Sequence, residues 1–84
     1  MSEADYSRLR SLRASELCRA LVRDGFVFTR QRGSHHRYAH QDGRRVTVPF
    51  TRKGDTLAPG TLRSIIEKQA RWTSKDLERL GLFS

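Results

Sequence analysis

The hydrophobic pattern of the chain changes its period at Gly25, and this change sets the order of the secondary structure. Before Gly25, apolar residues recur at the spacing of an amphipathic helix, which predicts a helix over about residues 15–24. Gly25 is suited to end this helix, because a left-handed residue commonly follows the last turn. After Gly25, residues 26–31 alternate and are rich in β-forming side chains, so they predict a strand.

Two further strands are predicted on either side of an Asp-Gly pair. Residues 35–40 and residues 44–50 have β-like composition, and Gln41, Asp42 and Gly43 separate them. Asp-Gly between two such runs is a strong signal for a β-hairpin. The sequence therefore predicts three antiparallel strands in succession, with a tight connection at residues 32–34 between the first and the second.

The register of this hairpin decides which side chains share a face of the sheet. A two-residue turn would pair Arg37 with Val48 and bring an arginine onto the apolar face. A three-residue loop with Gly43 as a left-handed bulge shifts the pairing by one, so that Tyr38 lies opposite Val46. We predict the three-residue loop. It also pairs His36 with Val48 and places on the opposite, polar face His35, Arg37 and Thr47.

The C-terminal part of the chain predicts two more helices. One opens at Pro59-Gly60-Thr61, with Thr61 as its N-cap, and a short last helix follows Trp72 with Thr73 as its cap. Each main helix has one apolar stripe and the sheet has one apolar face, so both helices should cover that face. The expected class is α+β: a three-stranded antiparallel sheet with both main helices on one side and a short C-terminal helix.

The 84 residues leave room for one domain. Residues 14–84 are expected to form it, and residues 1–13 to be an N-terminal extension that is frayed or weakly docked, because their apolar anchors are few: Tyr6, Leu9 and Leu12. No apolar run is long enough for a membrane span, and the single Cys18 fits a reducing compartment. We therefore expect a cytoplasmic protein with no membrane partner.

The net charge is strongly positive and concentrated in one stretch. The chain carries 17 Lys and Arg against 9 Asp and Glu, a formal net charge of +8. Residues 26–54 contain seven of the bases, six of them arginine, and only one acid, Asp42. Arginine binds phosphate oxygens and base edges through its planar fork, so nucleic acid is the expected partner.

The three histidines lie in the same basic stretch and suggest chemistry on RNA. Cleavage of RNA without a metal needs a base for the 2′-hydroxyl proton, a cation for the developing charge and an acid for the leaving oxygen. Histidine suits the proton transfers near neutral pH, and arginine suits the charge. His35, at the start of the second strand and on the arginine-bearing face, is the candidate. Ordinary surface histidines on a basic sheet remain the alternative.

No metal site or cofactor is expected. His36 and His40 share a strand face but are separated by four residues, or about 13 Å along a strand, which is too far to bind one ion. The nine acidic residues are scattered, with no cluster that suggests a two-metal nuclease.

Three motifs in order carry a resemblance to a known family. G-S-H-H-R-Y at residues 33–38, V-T-V-P-F at 46–50 and P-G-T-L-R-S-I-I at 59–66 resemble the HicA family of bacterial toxins from type II toxin–antitoxin systems. The resemblance extends over about residues 16–70. It implies a double-stranded-RNA-binding-like α-β-β-β-α fold, cleavage of mRNA and one catalytic histidine, which follows Gly-Ser and so corresponds to His35.

The resemblance also implies inhibition by a HicB-like antitoxin protein, which we expect to cover His35 and the basic face. The residues expected to bind RNA around His35 are Arg30, Arg32, Gly33, Ser34, Arg37, Arg52 and Lys53. Two rivals remain: a non-catalytic RNA-binding module of the same fold, and an adaptor whose basic face docks an acidic protein. Whether the protein forms a homodimer, and what the N-terminal extension and the last helix contact, the sequence leaves open.

Overall fold

The computed structural model describes Leu9 and residues 11–82. Its elements follow one another in the predicted order, helix, three strands, helix and a short last helix, and the class is α+β. They are α1 (Ala14–Arg23), β1 (Val27–Arg32), β2 (His35–Ala39), β3 (Arg45–Pro49), α2 (Pro59–Arg63), a π-helical segment that continues α2 (Ser64–Gln69), and α3 (Ser74–Arg79). None of the helices in this part of the chain is long and apolar enough to cross a membrane.

The three strands form one antiparallel sheet in the order β1-β2-β3. In the β2–β3 hairpin, Tyr38 pairs with Val46 and His36 with Val48, as the three-residue loop predicts. Gly43 has the left-handed φ of 100° that the bulge requires. The predicted register is therefore confirmed, and with it the division of β2 into an apolar and a polar face.

The core lies between the sheet and the helices. Tyr38, Val46 and Val48 are buried on the helix-covered face of the sheet, with exposures of 8%, 1% and 0%. The side chains that pack against them come from α1 and the π-helical segment, chiefly Leu17, Leu21, Ile65 and Ile66. Trp72 is 5% exposed and belongs to the same cluster. The opposite face of the sheet has no helix on it within the described residues.

The boundaries of the C-terminal helices are confirmed in one case and wrong in the other. α3 has Thr73 as its N-cap, and Asp76 completes a capping box, as predicted. α2, however, begins at Pro59 with Ala58 as its N-cap, so Thr61 lies inside the helix and does not cap it. Proline is suited to the first helical position because its φ is already helical and its missing N–H is not needed there.

The described part of the N-terminal extension is packed more firmly than the sequence suggests. Leu9 is 1% exposed within the hydrophobic core, and Leu12 packs against that core. Residues 1–8, 10, 83 and 84, including Tyr6, lie outside the described residues.

Candidate nucleic-acid interface

A β-bulge in β1 brings the first two arginines of the site onto the polar face of the sheet. The pairing shifts between Phe28 and Arg30: Phe28 lies opposite Tyr38, whereas Arg30 lies opposite Arg37. Directly opposed side chains in antiparallel strands share a face, so Phe28 projects with Tyr38 toward the helices and Arg30 projects away from them. The strict alternation predicted for residues 26–31 would have placed Phe28 and Arg30 on the same face, and the bulge corrects this prediction. Beyond the bulge, Arg32 lies opposite His35.

We call this uncovered surface the open face. The strands contribute to it four arginines and one histidine, and all five side chains are exposed. They are Arg30 and Arg32 of β1, His35 and Arg37 of β2, and Arg45 of β3. Arg45 was not among the predicted RNA-binding residues, although its pairing with Ala39 follows directly from the predicted register.

The turn between β1 and β2 fixes where His35 begins its strand. Gly33 and Ser34 form a two-residue connection, in which Gly33 has a φ of 59° and Ser34 does not enter the left-handed region. A glycine at the first central position is the requirement of a type II′ hairpin turn. The Ser34 carbonyl accepts a hydrogen bond from the Phe50 N–H at 2.9 Å, which ties the turn to the end of β3. The sequence predicted a tight connection here but not this link to β3.

His35 is exposed, and within the described residues its ring makes no hydrogen bond or ion pair. Arg32 lies opposite it and Arg37 lies two residues further along β2, so both arginines share its face of the sheet. The structure thus places an unengaged imidazole on a cationic surface.

The ring of His36 faces away from the open face and is engaged by the protein. It stacks on the Phe50 ring with centroids 3.8 Å apart and planes 9° from parallel. Its Nδ1 lies 3.0 Å from the Ser34 carbonyl and 3.2 Å from the Val48 carbonyl. Since only a protonated nitrogen can bond two carbonyls, Nδ1 carries the hydrogen.

His40 is held by hydrogen bonds at both ring nitrogens. Nε2 donates to the Asp24 carbonyl at 2.8 Å, and Nδ1 accepts from the Asp42 N–H at 3.1 Å. The ring also meets Phe26 edge to face, with centroids 5.0 Å apart. His40 therefore joins the β2–β3 hairpin to the end of α1 and is a structural residue.

Arg52 and Lys53 lie in an anchored loop after β3, at the same end of the sheet as His35. The Arg52 N–H donates to the Asp55 carboxylate at 2.9 Å. The carbonyls of Lys53 and Asp55 accept from the N–H groups of Ser15 and Ala14, at 3.0 and 2.8 Å, and so satisfy the first turn of α1. Both basic side chains are exposed on a backbone that is fixed at both ends.

Arg44, in contrast, is not available to a ligand. Its guanidinium lies 3.2 Å from the Asp24 carboxylate and 2.8 Å from that of Asp42, and it donates to the Ala70 carbonyl at 2.6 Å. It also lies over the Phe26 ring, 4.8 Å from the centroid. One of the seven bases in the concentrated stretch is thus an internal link, which a count of charges does not distinguish.

Asp24 is the centre of this internal network. Its carboxylate accepts from the Trp72 indole at 2.9 Å and from Arg79 at 2.8 Å, in addition to the ion pair with Arg44. Burial of the carboxylate opposes its ionisation, but the hydrogen bonds from Trp72 and Arg79 and the charges of both arginines outweigh burial and hold the pKa of Asp24 below its ordinary value. The carboxylate of Asp24 is therefore engaged by three side chains of the protein itself.

The described residues contain no group of three or more His, Cys, Asp or Glu side chains that could hold a metal ion. The site is therefore defined by the cationic side chains of the open face and the anchored loop, with one unengaged histidine among them.

The fold and the site define a small α+β protein whose uncovered sheet face is suited to a polyanion. A family model described as the HicA toxin of bacterial toxin–antitoxin systems matches residues 14–72, more than half of the chain. The chain belongs to the HicA toxin family. It is the toxin of a toxin–antitoxin system, and an antitoxin is its partner. No curated protein gives a significant match to the sequence.

Proposed function

We propose that this toxin is a metal-independent endoribonuclease that cleaves mRNA with His35 as its proton-transfer residue. One observation carries the proposal: His35 is exposed and unengaged within the described residues, on the face that carries the arginines. His40 is bonded to backbone groups at both ring nitrogens, and the His36 ring is held on the helix side of the sheet by its Nδ1 contacts and its stack on Phe50, so neither ring lies on the open face.

The proposed reaction uses the nucleophile that RNA itself supplies. The 2′-oxygen attacks the adjacent phosphorus, the 2′-hydroxyl gives up its proton, and the bond from phosphorus to the 5′-oxygen breaks. The leaving oxygen takes up a proton, so the products are a 2′,3′-cyclic phosphate and a 5′-hydroxyl. His35 serves as the base for the first proton or the acid for the second, roles for which imidazole is suited near neutral pH.

The cations around His35 have the role of holding the phosphate and stabilising its developing charge. Arg32 and Arg37 flank His35, and a guanidinium can donate two parallel hydrogen bonds to phosphate oxygens. Arg30, Arg52 and Lys53 extend the cationic surface along the RNA backbone. The Ser34 hydroxyl can donate to a phosphate oxygen, and Gly33 leaves room for the backbone of the RNA to approach.

The antitoxin partner is proposed to be a HicB-like protein that covers His35 and the basic face. An exposed cationic surface with an unengaged catalytic group is what an inhibitor must block. An antitoxin bound over the open face would keep RNA off the cationic surface and away from His35.

The test is a cleavage assay on a mixed-sequence RNA in excess EDTA, comparing wild type with His35→Ala. We expect cleavage by wild type alone, and 2′-deoxy nucleotides at the cleaved positions should abolish it. Tight, salt-sensitive binding with the RNA left intact by both proteins would instead identify a non-catalytic RNA-binding module. Cleavage by His35→Ala at the wild-type rate would remove His35 from the mechanism.

A further inference from the structure

A side chain from the helical segment binds the β3 edge of the sheet, whereas the β1 edge is open in the described residues. At the β3 edge, the Thr47 N–H donates to the Gln69 side-chain oxygen at 2.8 Å, and the Gln69 amide nitrogen bonds the Ser64 hydroxyl at 3.2 Å. This edge is blocked at its centre. At the β1 edge, all six residues are exposed, and within the described residues β1 pairs with no strand but β2. An unpaired strand edge is a template for another strand.

The β1 edge is bordered on its helix side by apolar surface. In the described part of the chain, the exposed large apolar side chains on this side are Val22 at 58% and Phe28 at 49%. Val27, 65% exposed, lies opposite Ala39 and so belongs to the open face. Val22 of α1 lines a shallow groove with Cys18 and Tyr38, and Phe28 packs edge to face on Tyr38. Exposed apolar groups gathered beside an open strand edge indicate an interaction surface.

The floor of this groove carries no charge at neutral pH. Burial raises the pKa of the Cys18 thiol and outweighs its hydrogen bond with Tyr38, and burial likewise raises the pKa of the Tyr38 phenol. The rim is cationic, since Arg19 and Arg23 of α1 also line the groove.

The two faces of the sheet at the β1 edge therefore favour different side chains in an added strand. A strand added to β1 would place alternate residues on the open face, next to Arg30 and Arg32, and the others on the helix side, next to Phe28 and the groove. Acidic residues match the first side, and apolar residues match the second. A second copy of this chain fits poorly, because it would bring its own Arg30 and Arg32 against the same two arginines.

We propose that the β1 edge is the docking site for an extended segment of the antitoxin in which acidic and apolar residues alternate. The segment adds a fourth strand to the sheet, with its apolar residues in the groove and its carboxylates on Arg30 and Arg32. The inference rests on the proposed function in one respect: a segment bound to Arg30 and Arg32 would inhibit the toxin only if these two arginines also bind RNA. Docking itself does not depend on His35.

The probe is a synthetic peptide of about eight residues, the length of a typical strand, with alternating Glu and Val. Two control peptides are matched to it: one with Lys in place of Glu, and one with the same composition but the Glu and Val residues segregated. Binding is measured by calorimetry and by amide hydrogen exchange, on wild type and on His35→Ala. We expect the alternating peptide to bind best and to slow exchange at backbone amides of β1 in both proteins.

Two matched variants separate the sides of the edge. Val22→Lys puts a charge beside the groove and should weaken peptide binding about tenfold, the loss expected for one buried valine. Val27→Lys makes the same change on the open face, which Val27 shares with its partner Ala39, and should leave binding unchanged or strengthen it. Circular dichroism of both variants checks that the fold is kept.

The outcomes separate this inference from the proposed nuclease. Protection of β1 amides by the alternating peptide, with no RNA cleavage by wild type, would support the docking site and overturn the nuclease. Equal binding of the three peptides, or binding without protection at β1, would overturn the docking site while leaving the cleavage assay unaffected. Equal loss of binding in Val22→Lys and Val27→Lys would also contradict it.

Discussion

The imidazole of His36 lies flat on the phenyl ring of Phe50, with the ring centroids 3.8 Å apart. This stack closes the end of the sheet next to the Gly33-Ser34 turn, while the neighbouring His35 points to the opposite face. Two histidines adjacent in sequence therefore differ in environment: His36 packs within the protein, and His35 is exposed. The alternation of a β-strand is the whole cause, because successive side chains project from opposite faces.

Substituting His35 should affect RNA cleavage and not stability, whereas substituting His36 should affect stability and not cleavage. His35→Ala is expected to slow RNA cleavage about 10²–10⁴-fold, the usual contribution of a general acid or base, with thermal stability unchanged. His36→Ala should lower the free energy of unfolding by about 1–3 kcal/mol, because the stack and the hydrogen bond to two carbonyls are lost, and retain most cleavage by the folded fraction. Single-turnover kinetics and urea denaturation of both variants measure the two effects. A stable, inactive His36→Ala protein would contradict this division of roles.

The Asp24 network predicts a defined dependence of stability on pH. The pKa of Asp24 is lowered in the folded protein, so its contribution is fully present above the ordinary value of about 4 and is lost as the pH falls through the folded-state pKa. Asp24→Asn should be less stable than wild type by about 1–3 kcal/mol at pH 7. The difference should shrink below about pH 4. Urea denaturation of both proteins from pH 7 to pH 2.5 tests this, and a difference that grows on acidification would contradict it.

The left-handed φ of Gly33 can be tested apart from any crowding. An added Cβ at Gly33 meets nothing within 4 Å, yet φ is 59°, so Gly33→Ala should cost about 1–2 kcal/mol from backbone conformation alone. Gly60 is the matched control. It also has open space around an added Cβ but no left-handed φ, and Gly60→Ala should gain about 0.4–1 kcal/mol. If both variants lost the same stability, the turn would not be the reason.

The division between binding and structural arginines should appear in the salt dependence of RNA binding. In a His35→Ala background, Arg37→Gln and Arg52→Gln should each reduce the slope of log K against log salt by about 0.7, the value for one phosphate contact with a single strand. Arg44→Gln should leave the slope unchanged and lower the free energy of unfolding instead, because Arg44 is engaged by Asp24 and Asp42. Filter binding over a salt series, with denaturation of each variant, separates the two classes. An unchanged slope in Arg37→Gln would remove the open face from RNA binding.

The sequence was sufficient for the order of the elements and for the faces of β2. Keeping Tyr38 with the valines selects one hairpin register, and that register alone places His35 and Arg37 on the polar face. These features could be predicted because they depend on alternation and on a loop of three residues, both of which are local.

Three features were not predicted, each for a different physical reason. The bulge at Thr29 is a property of how β1 pairs with β2, and only the unfavourable grouping of Phe28 with Arg30 hinted at it. The role of Asp24 depends on Trp72 and Arg79, about fifty residues away, and no pattern links them. The N-cap of α2 was predicted three residues too late, at Thr61 instead of Ala58, because both a proline and a threonine offered plausible first turns.

The side chain of Gln69 determines at which edge a further strand can be added to the sheet. Because it holds the Thr47 N–H at the centre of β3, a partner strand can lengthen the sheet only from the β1 side. An assembly built by strand addition therefore terminates after one step, and copies of this chain cannot propagate into a fibre by stacking edge upon edge. For a toxin that must remain active when its inhibitor is gone, the same glutamine that satisfies one backbone group also guards against aggregation.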